Sequence, residues 1–174
     1  MKTKNTTSPT RLPVATTAGD FIAEYTGQGL SGLSFPRQAG AKSKPTEIKT
    51  PPPEIRRWHA LTTQAVKAAL AGKVLPPLPP LDLARGTEFQ QSVWRALQQI
   101  AAGRTQSYGE VAASLGRPKA TRAVGTACGA NPIPLLVPCH RVLAAGGGLG
   151  GFTAGLDWKR LLLEREGIVL NKGR

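Results

Sequence analysis

Cysteine, histidine and acidic side chains are scarce in this 174-residue sequence, which holds two Cys, two His and ten Asp plus Glu. Cys128 and Cys139 form no Cys-x-x-Cys pair, and the four-ligand spacing of a structural zinc site is missing. His59 is the only candidate Cys/His ligand in residues 1–86, so neither a metal nor a cofactor is expected. No run of about 18 apolar residues exists, which excludes a membrane-spanning helix. The N-terminal stretch MKTKNTTSPTRLPVATTAGD lacks the apolar centre of a signal peptide. The expected location is therefore the cytoplasm, where a disulfide framework is not expected. The glycine stretch at 146–151 is not followed by Gly-Lys-Ser/Thr, which argues against a phosphate-binding P-loop.

Basic residues are abundant. Lys and Arg number 23, leaving a formal charge of +13, a surplus that favours a polyanionic partner. Nucleic acid and an anionic membrane surface both fit that charge. The length suits one ordinary domain or two small ones.

Residues 1–17 are rich in Thr, Pro and Lys and read as a flexible tail. Phe21–Tyr25 and Leu30–Phe35 are short apolar runs separated by Thr26-Gly27-Gln28-Gly29, the pattern of a β-hairpin. Residues 36–53 are polar and Pro-rich and read as a loop. From Glu54 to Ala71 apolar residues recur at helical spacing, with Gly72 as a stop. Leu75-Pro76-Pro77-Leu78-Pro79-Pro80-Leu81 reads as a semi-rigid connector, and a domain boundary is placed near Gly86.

The second half is denser in helix signals. Thr87-Glu88-Phe89-Gln90 is a capping-box pattern opening a helix that runs to Gly103. Ser107-Tyr108-Gly109-Glu110 is another, opening a short helix that stops at Gly116. Pro118 suits the start of a third helix over Lys119–Cys128. This is helix-turn-helix spacing, although such pairs are also common in proteins that never touch DNA. On the third helix Ala120, Thr121, Ala123, Gly125 and Thr126 are small, and Arg122 is the one large cation among them. Either tight helix packing or the close approach of a groove explains so smooth a face.

Beyond Asn131-Pro132 the apolar run Ile133–Val137 meets Pro138-Cys139-His140-Arg141. A thiol beside an imidazole and a guanidinium can be held as the nucleophilic thiolate. Adjacent side chains usually point apart, so the dipeptide alone is equally a buried structural cysteine beside an incidental histidine. Leu156–Glu166 reads as an amphipathic helix with Trp158, Leu161, Leu162 and Arg165 along it. Glu164 or Glu166 could fold back to fix a histidine tautomer or remain solvated.

Together these residues resemble a known family. Ile133–Val142, with its Pro138-Cys139-His140-Arg141-Val142 centre, resembles the active-site signature of the O6-alkylguanine-DNA alkyltransferases, the methylated-DNA–protein-cysteine methyltransferases. Gly86–Gln90, Val93-Trp94, Ser107–Gly109, Arg122–Gly125, Ala130–Pro132 and Leu161–Gly167 stand in the family's order and spacing, covering roughly residues 86–168. The resemblance implies an α+β protein: a ribonuclease H-like α/β domain over 18–86, then a mostly helical catalytic DNA-binding domain over 87–174 with a helix-turn-helix. It implies single-turnover transfer of an alkyl group from O6-alkylguanine, and also O4-alkylthymine, in duplex DNA to Cys139. His140 would accept the thiol proton through a water, Glu166 would orient His140, Tyr108 would donate toward the leaving guanine, and Asn131 would order the turn around the thiol. Main-chain groups at Cys139 and Val142, with Thr153, would read the flipped base. Arg122 would fill the vacated stack from the minor groove, on the face formed by Ala120, Thr121, Ala123, Gly125 and Thr126. The implied partner is double-stranded DNA, without a membrane or cofactor, bound by a monomer.

Phe152 stands where the family often has tyrosine, Thr153 where serine is frequent, and Cys128 reads as structural. Two competing readings use fewer of these features. A DNA-binding lesion-recognition module gives no reason for Pro138–Arg141 followed by Glu166. A Cys–His hydrolase has no use for Arg122 on a small-residue helix.

Overall fold

The computed structural model describes residues 8–36 and 50–170, and places three antiparallel strands ahead of a set of helices. Strands β1 (Thr10–Val14), β2 (Phe21–Thr26) and β3 (Gly29–Ser34) lie in the order β1-β2-β3. Alternation puts Phe21, Ala23 and Tyr25 of β2 on the buried side, as one face of a half-covered sheet requires.

The flexible tail expected over 1–17 needs correction, because its residues 10–14 form β1. Leu12 and Val14 are buried on the same side as β2's apolar residues, and Arg11 meets Glu24 directly across the pair at 2.7 Å. Pro13 is tolerated because β1 is an edge strand, where a missing N–H breaks no ladder. Residues 1–7 of that tail, and residues 37–49 of the loop expected over 36–53, lie outside the described residues.

Helix α1 (Pro53–Leu70) turns Ile55, Thr62, Ala65, Val66, Ala69 and Leu70 inward. The proline-rich connector then returns along β3. Leu30 donates to the Pro80 carbonyl and accepts from Asp82, both at 2.8 Å, and Thr26 holds the Asp82 carboxylate at 2.6 Å. Gly29 (φ +145°) permits this approach, since a Cβ there would collide with the Pro80 carbonyl.

Helices α2 (Glu88–Leu97) and α3 (Tyr108–Ser114) both open with complete capping boxes, at Thr87/Gln90 and Ser107/Glu110. Helix α2 ends at Leu97, short of the expected Gly103, because tight turns at Gln99 and Ile100 tuck Ile100 into the core. Helix α4 is Thr121–Gly129, so Pro118 does not begin it; residues 117–120 form a turn closed by Ala120 N–H on the Arg117 carbonyl at 2.8 Å. Trp94 of α2 is buried against α4 and donates through Nε1 to the Ala127 carbonyl at 2.8 Å. A short parallel pair, β4 (Gln106–Ser107) with β5 (Val142–Leu143), and helix α5 (Leu156–Arg165) complete the fold. The buried residues of both halves form one continuous cluster from Leu12 to Leu162. No helix among the described residues is long and apolar enough to cross a membrane.

Candidate active site

The segment before Cys139 is held by its own side chains. Asn131 accepts from Ile133 N–H at 3.0 Å and donates through Nδ2 to the Val137 carbonyl at 2.8 Å. Leu135 sits inside that loop at φ +79°, an unusual conformation for a side chain with a Cβ. The loop delivers the chain into a 3-10 turn, Cys139–Arg141, whose three side chains are all buried.

Within that turn the side chains diverge. His140 Nε2 lies 2.9 Å from Glu166 Oε1. Arg141 brackets the same carboxylate, with Nε at 3.0 and 3.2 Å and Nη2 at 2.9 Å, while its Nη1 holds the Ile100 carbonyl. Gly103 N–H completes the set at 3.3 Å. Burial alone would raise the Glu166 carboxyl, but hydrogen bonds from His140 and Arg141 outweigh it and bring the group down to about 2. Burial also pushes the His140 imidazole below its ordinary value, against the upward pull of Glu166. A neutral His140 donating Nε2–H to an ionised Glu166 satisfies both directions, because Arg141 keeps the carboxylate charged. Nδ1 is then a bare lone pair, and it is the one buried side-chain nitrogen or oxygen without a partner among the described residues.

Cys139 opens onto a cavity of about 480 Å³, lined also by Tyr108, Gly125, Cys128, Gly129, Gly151, Phe152 and Thr153. Burial raises the Cys139 thiol; a hydrogen bond from Asn131 and the charge of Lys159 pull the other way. Tyr108, the first residue of α3, packs its ring against the Gly150 backbone, and burial raises its phenol. A Cβ added at Gly125 would make only ordinary contact with Tyr108, at 3.9 Å, so packing inside the chain does not demand glycine there. Thr121, Arg122, Ala123 and Thr126 are exposed on the outer face of α4, with Ala120 and Gly125 half-buried beside them.

A family model described as 6-O-methylguanine DNA methyltransferase, DNA binding domain, matches residues 88–168. The methylated-DNA–protein-cysteine methyltransferase of Mycolicibacterium paratuberculosis is 51% identical over 113 residues, 65% of this chain and 68% of that relative. The chain belongs to the methylated-DNA–protein-cysteine methyltransferase family. Its relative in Methanosarcina acetivorans is 57% identical over 82 residues, 47% of this chain and about half of that protein (53%). A crystal structure of Mycobacterium tuberculosis OGT in complex with DNA superposes with a TM-score of 0.71 at 40% identity, covering 88% of this chain and 90% of that one. The O6-methylguanine-DNA methyltransferase of Pyrococcus kodakaraensis shares the fold at 23% identity, with a TM-score of 0.62.

Against what the methyltransferase signature implies, the structure brings Cys139, Tyr108 and Thr153 to one cavity and joins His140 to Glu166. It does not leave Val142 free. The Val142 N–H is spent on the Cys139 carbonyl, and its own carbonyl accepts Lys159 Nζ at 2.6 Å. Cys139 N–H is likewise bound to Val137 O at 2.8 Å, and Thr153 Oγ1 donates to Gly129 O at 3.1 Å. Three further points differ from the sequence reading. Arg141 turns to Glu166 rather than to the thiol. Cys128 is buried, yet it lines the cavity beside Cys139. The buried stripe of α5 is Lys159, Leu162 and Leu163, with Trp158 packed against Phe21 and Phe35 as the spacing implied, whereas Leu161 is only half-buried and Arg165 is exposed. The spacing 159–162–163–166 carried that signal, since one face of a helix repeats at three and four residues.

Proposed function

We propose that this chain repairs DNA by moving an alkyl group from the O6 of guanine to Cys139 Sγ. The observation that carries the reading is the His140–Glu166 contact beside a cavity-lining thiol: one imidazole nitrogen is locked on a carboxylate and the other is bare. In the step, the Cys139 thiolate attacks the alkyl carbon, an S–C bond forms and the O6–C bond breaks. The electron pair passes to the guanine, and Tyr108 is positioned at the cavity to offset that charge by donating a proton. The thiol proton leaves for His140 Nδ1 through a water. Nothing in the step returns the thioether to a free thiol, so each chain acts once.

A base inside a duplex cannot present its oxygen to a buried thiol, so the nucleotide must be turned out at a cost of a few kcal/mol. The α3–α4 pair would act as a helix-turn-helix, with α4 in the minor groove, where its small exposed side chains fit and Arg122 fills the vacated stack. The Cys139 and Val142 carbonyls, with Thr153, would read the base, because a carbonyl already accepting one hydrogen bond can accept another. O4-alkylthymine fits the same chemistry. The N-terminal sheet with α1 would be the ribonuclease H-like unit, divided from the catalytic part near Gly86. The test is to incubate the protein with a duplex containing one O6-methylguanine and to map any adduct by mass. A single methyl group on Cys139 supports the reading, whereas an unmodified protein that still binds the duplex supports a lesion-recognition module instead.

A further inference from the structure

Helix α1 stops at Gly72, whose N–H donates to the Ala69 carbonyl while Lys73 N–H donates to Ala68 O, both at 3.0 Å. This is the left-handed stop that glycine favours, at φ +66°. Space requires glycine there as well: a Cβ would lie 1.9 Å from the Arg165 carbonyl oxygen and 3.2 Å from Glu166 N. The end of α1 is therefore pressed against the Arg165–Glu166 peptide. Arg165 ties the same two ends together, because its Nη1 donates to the Leu70 carbonyl, one of the acceptors that a helix leaves open in its last turn. From a third segment, Gly103 comes up to Glu166 O, where a Cβ would stand 3.3 Å away, and its N–H reaches Oε2. The main chain of Glu166 is thus held by two segments that lie far from it in sequence.

We propose that Gly72 and Arg165 are positioning residues for alkyl transfer, which seat the Arg165–Glu166 peptide on the end of α1 and so aim the Glu166 carboxylate at His140. Glu166 needs such a seat because it caps α5 rather than lying inside it, and helix ends fray. Its own helix holds it through its N–H on Leu162 O and Leu163 O, each at 3.1 Å. The two side-chain partners of its carboxylate differ in what they tolerate. Arg141 reaches both oxygens and can follow a tilt of the group, whereas His140 Nε2 meets Oε1 alone, at 2.9 Å. A main-chain shift of about an ångström at Glu166 stretches that contact past hydrogen-bond length while Arg141 still binds. The imidazole then loses the acceptor that fixes Nε2–H, and Nδ1 is no longer held bare. Gly72 acts by leaving room and Arg165 by its bond, so the two can be removed separately.

The inference rests on the His140–Glu166 pair serving the transfer, yet its first readout needs no DNA. Nitrogen NMR of the His140 ring at neutral pH distinguishes a protonated Nε2 with a bare Nδ1 from a mixture of tautomers. Wild type should show the single form, and Gly72→Ala and Arg165→Met should each show the mixture. Arg165→Lys, which can still donate to Leu70 O, should return toward the single form. Gly116→Ala controls for backbone strain: Gly116 stops α3 at φ +69° with nothing within 4 Å of an added Cβ, so the variant loses stability but should keep the wild-type ring signals. Single-turnover transfer to Cys139 should fall on the order of tenfold in Gly72→Ala and Arg165→Met, because a misplaced group slows the chemical step. That loss should be alike on a duplex and on free O6-benzylguanine, since base extrusion is untouched. Wild-type ring signals in Arg165→Met, a mixture already present in wild type, or the same mixture in Gly116→Ala overturns the proposal. Arg165 is exposed, so its variants decide the matter even if Gly72→Ala does not fold. A wild type that shows the single tautomer but never takes a methyl group from DNA sinks the transfer reading and leaves the seat to be judged by the ring signals.

Discussion

Glu166 Oε1 lies 2.9 Å from both His140 Nε2 and Arg141 Nη2, so a single carboxylate oxygen serves two neighbouring side chains of one turn. Arg141 fixes the charge of the carboxylate, and the carboxylate fixes the tautomer of the histidine. This arrangement separates the electrostatic task from the proton-transfer task, although both act through the same group.

A pH dependence follows. Glu166 titrates near 2 in the fold against an ordinary value of 4.5. Its folded-state value is depressed, so its contribution to stability is complete above about 4.5 and is lost as the pH falls toward about 2. Glu166→Gln should unfold at a lower denaturant midpoint at neutral pH, and the gap to wild type should close in acid. Parallel acid-unfolding curves for the two proteins would show that the carboxylate is not held as described.

Trp94 Nε1 donates to Ala127 O inside the core between α2 and α4. Trp94→Phe deletes that donor and opens space, and a loss of about 1–3 kcal/mol from the unpaired carbonyl alone is expected. Urea denaturation measures it directly. A variant as stable as wild type would mean that the Ala127 carbonyl finds another partner.

The wedge role of Arg122 predicts a split between substrates. Arg122→Ala should slow repair of duplex DNA by roughly tenfold or more relative to its effect on free O6-benzylguanine, since the free base needs no extrusion. Tyr108→Phe should slow both, because its hydroxyl is assigned to the chemical step. Single-turnover rates of both variants on both substrates decide the matter, and equal losses for Arg122→Ala would remove the wedge.

The formal charge of +13 predicts DNA affinity that falls steeply with salt and varies little with sequence. Fluorescence anisotropy with two unrelated duplexes over a salt series supplies the slopes. A flat dependence would leave recognition resting on shape alone.

What could be read from the chain in advance divides by range. Both capping boxes were legible because Thr87 with Gln90, and Ser107 with Glu110, complete their bonds within three residues. Strand β1 was not, because its pairing with β2 depends on partners such as Arg11 and Glu24 in separate segments, while its own Thr and Pro content resembles a tail. In the site, Cys139, His140 and Glu166 were legible through the resemblance of the signature. Lys159 was passed over because a lysine on a helix ordinarily faces water, and only the return of Val142 and Gly151 shows that this one does not. The end of α2 was misjudged because Ile100 continues the helical spacing although the backbone has already turned.

The placement of the site's supports on α5 bears on the order of synthesis. Cys139, Tyr108 and Asn131 all precede Leu156–Arg165 in the chain, whereas Lys159 lies in that helix and Glu166 caps it. Domains made at the ribosome fold from the N-terminal side as they emerge. A nascent chain therefore carries Cys139 and His140 before it carries the carboxylate that holds His140. Until α5 docks, Nε2 of His140 has no carboxylate to bind and the imidazole has no fixed tautomer.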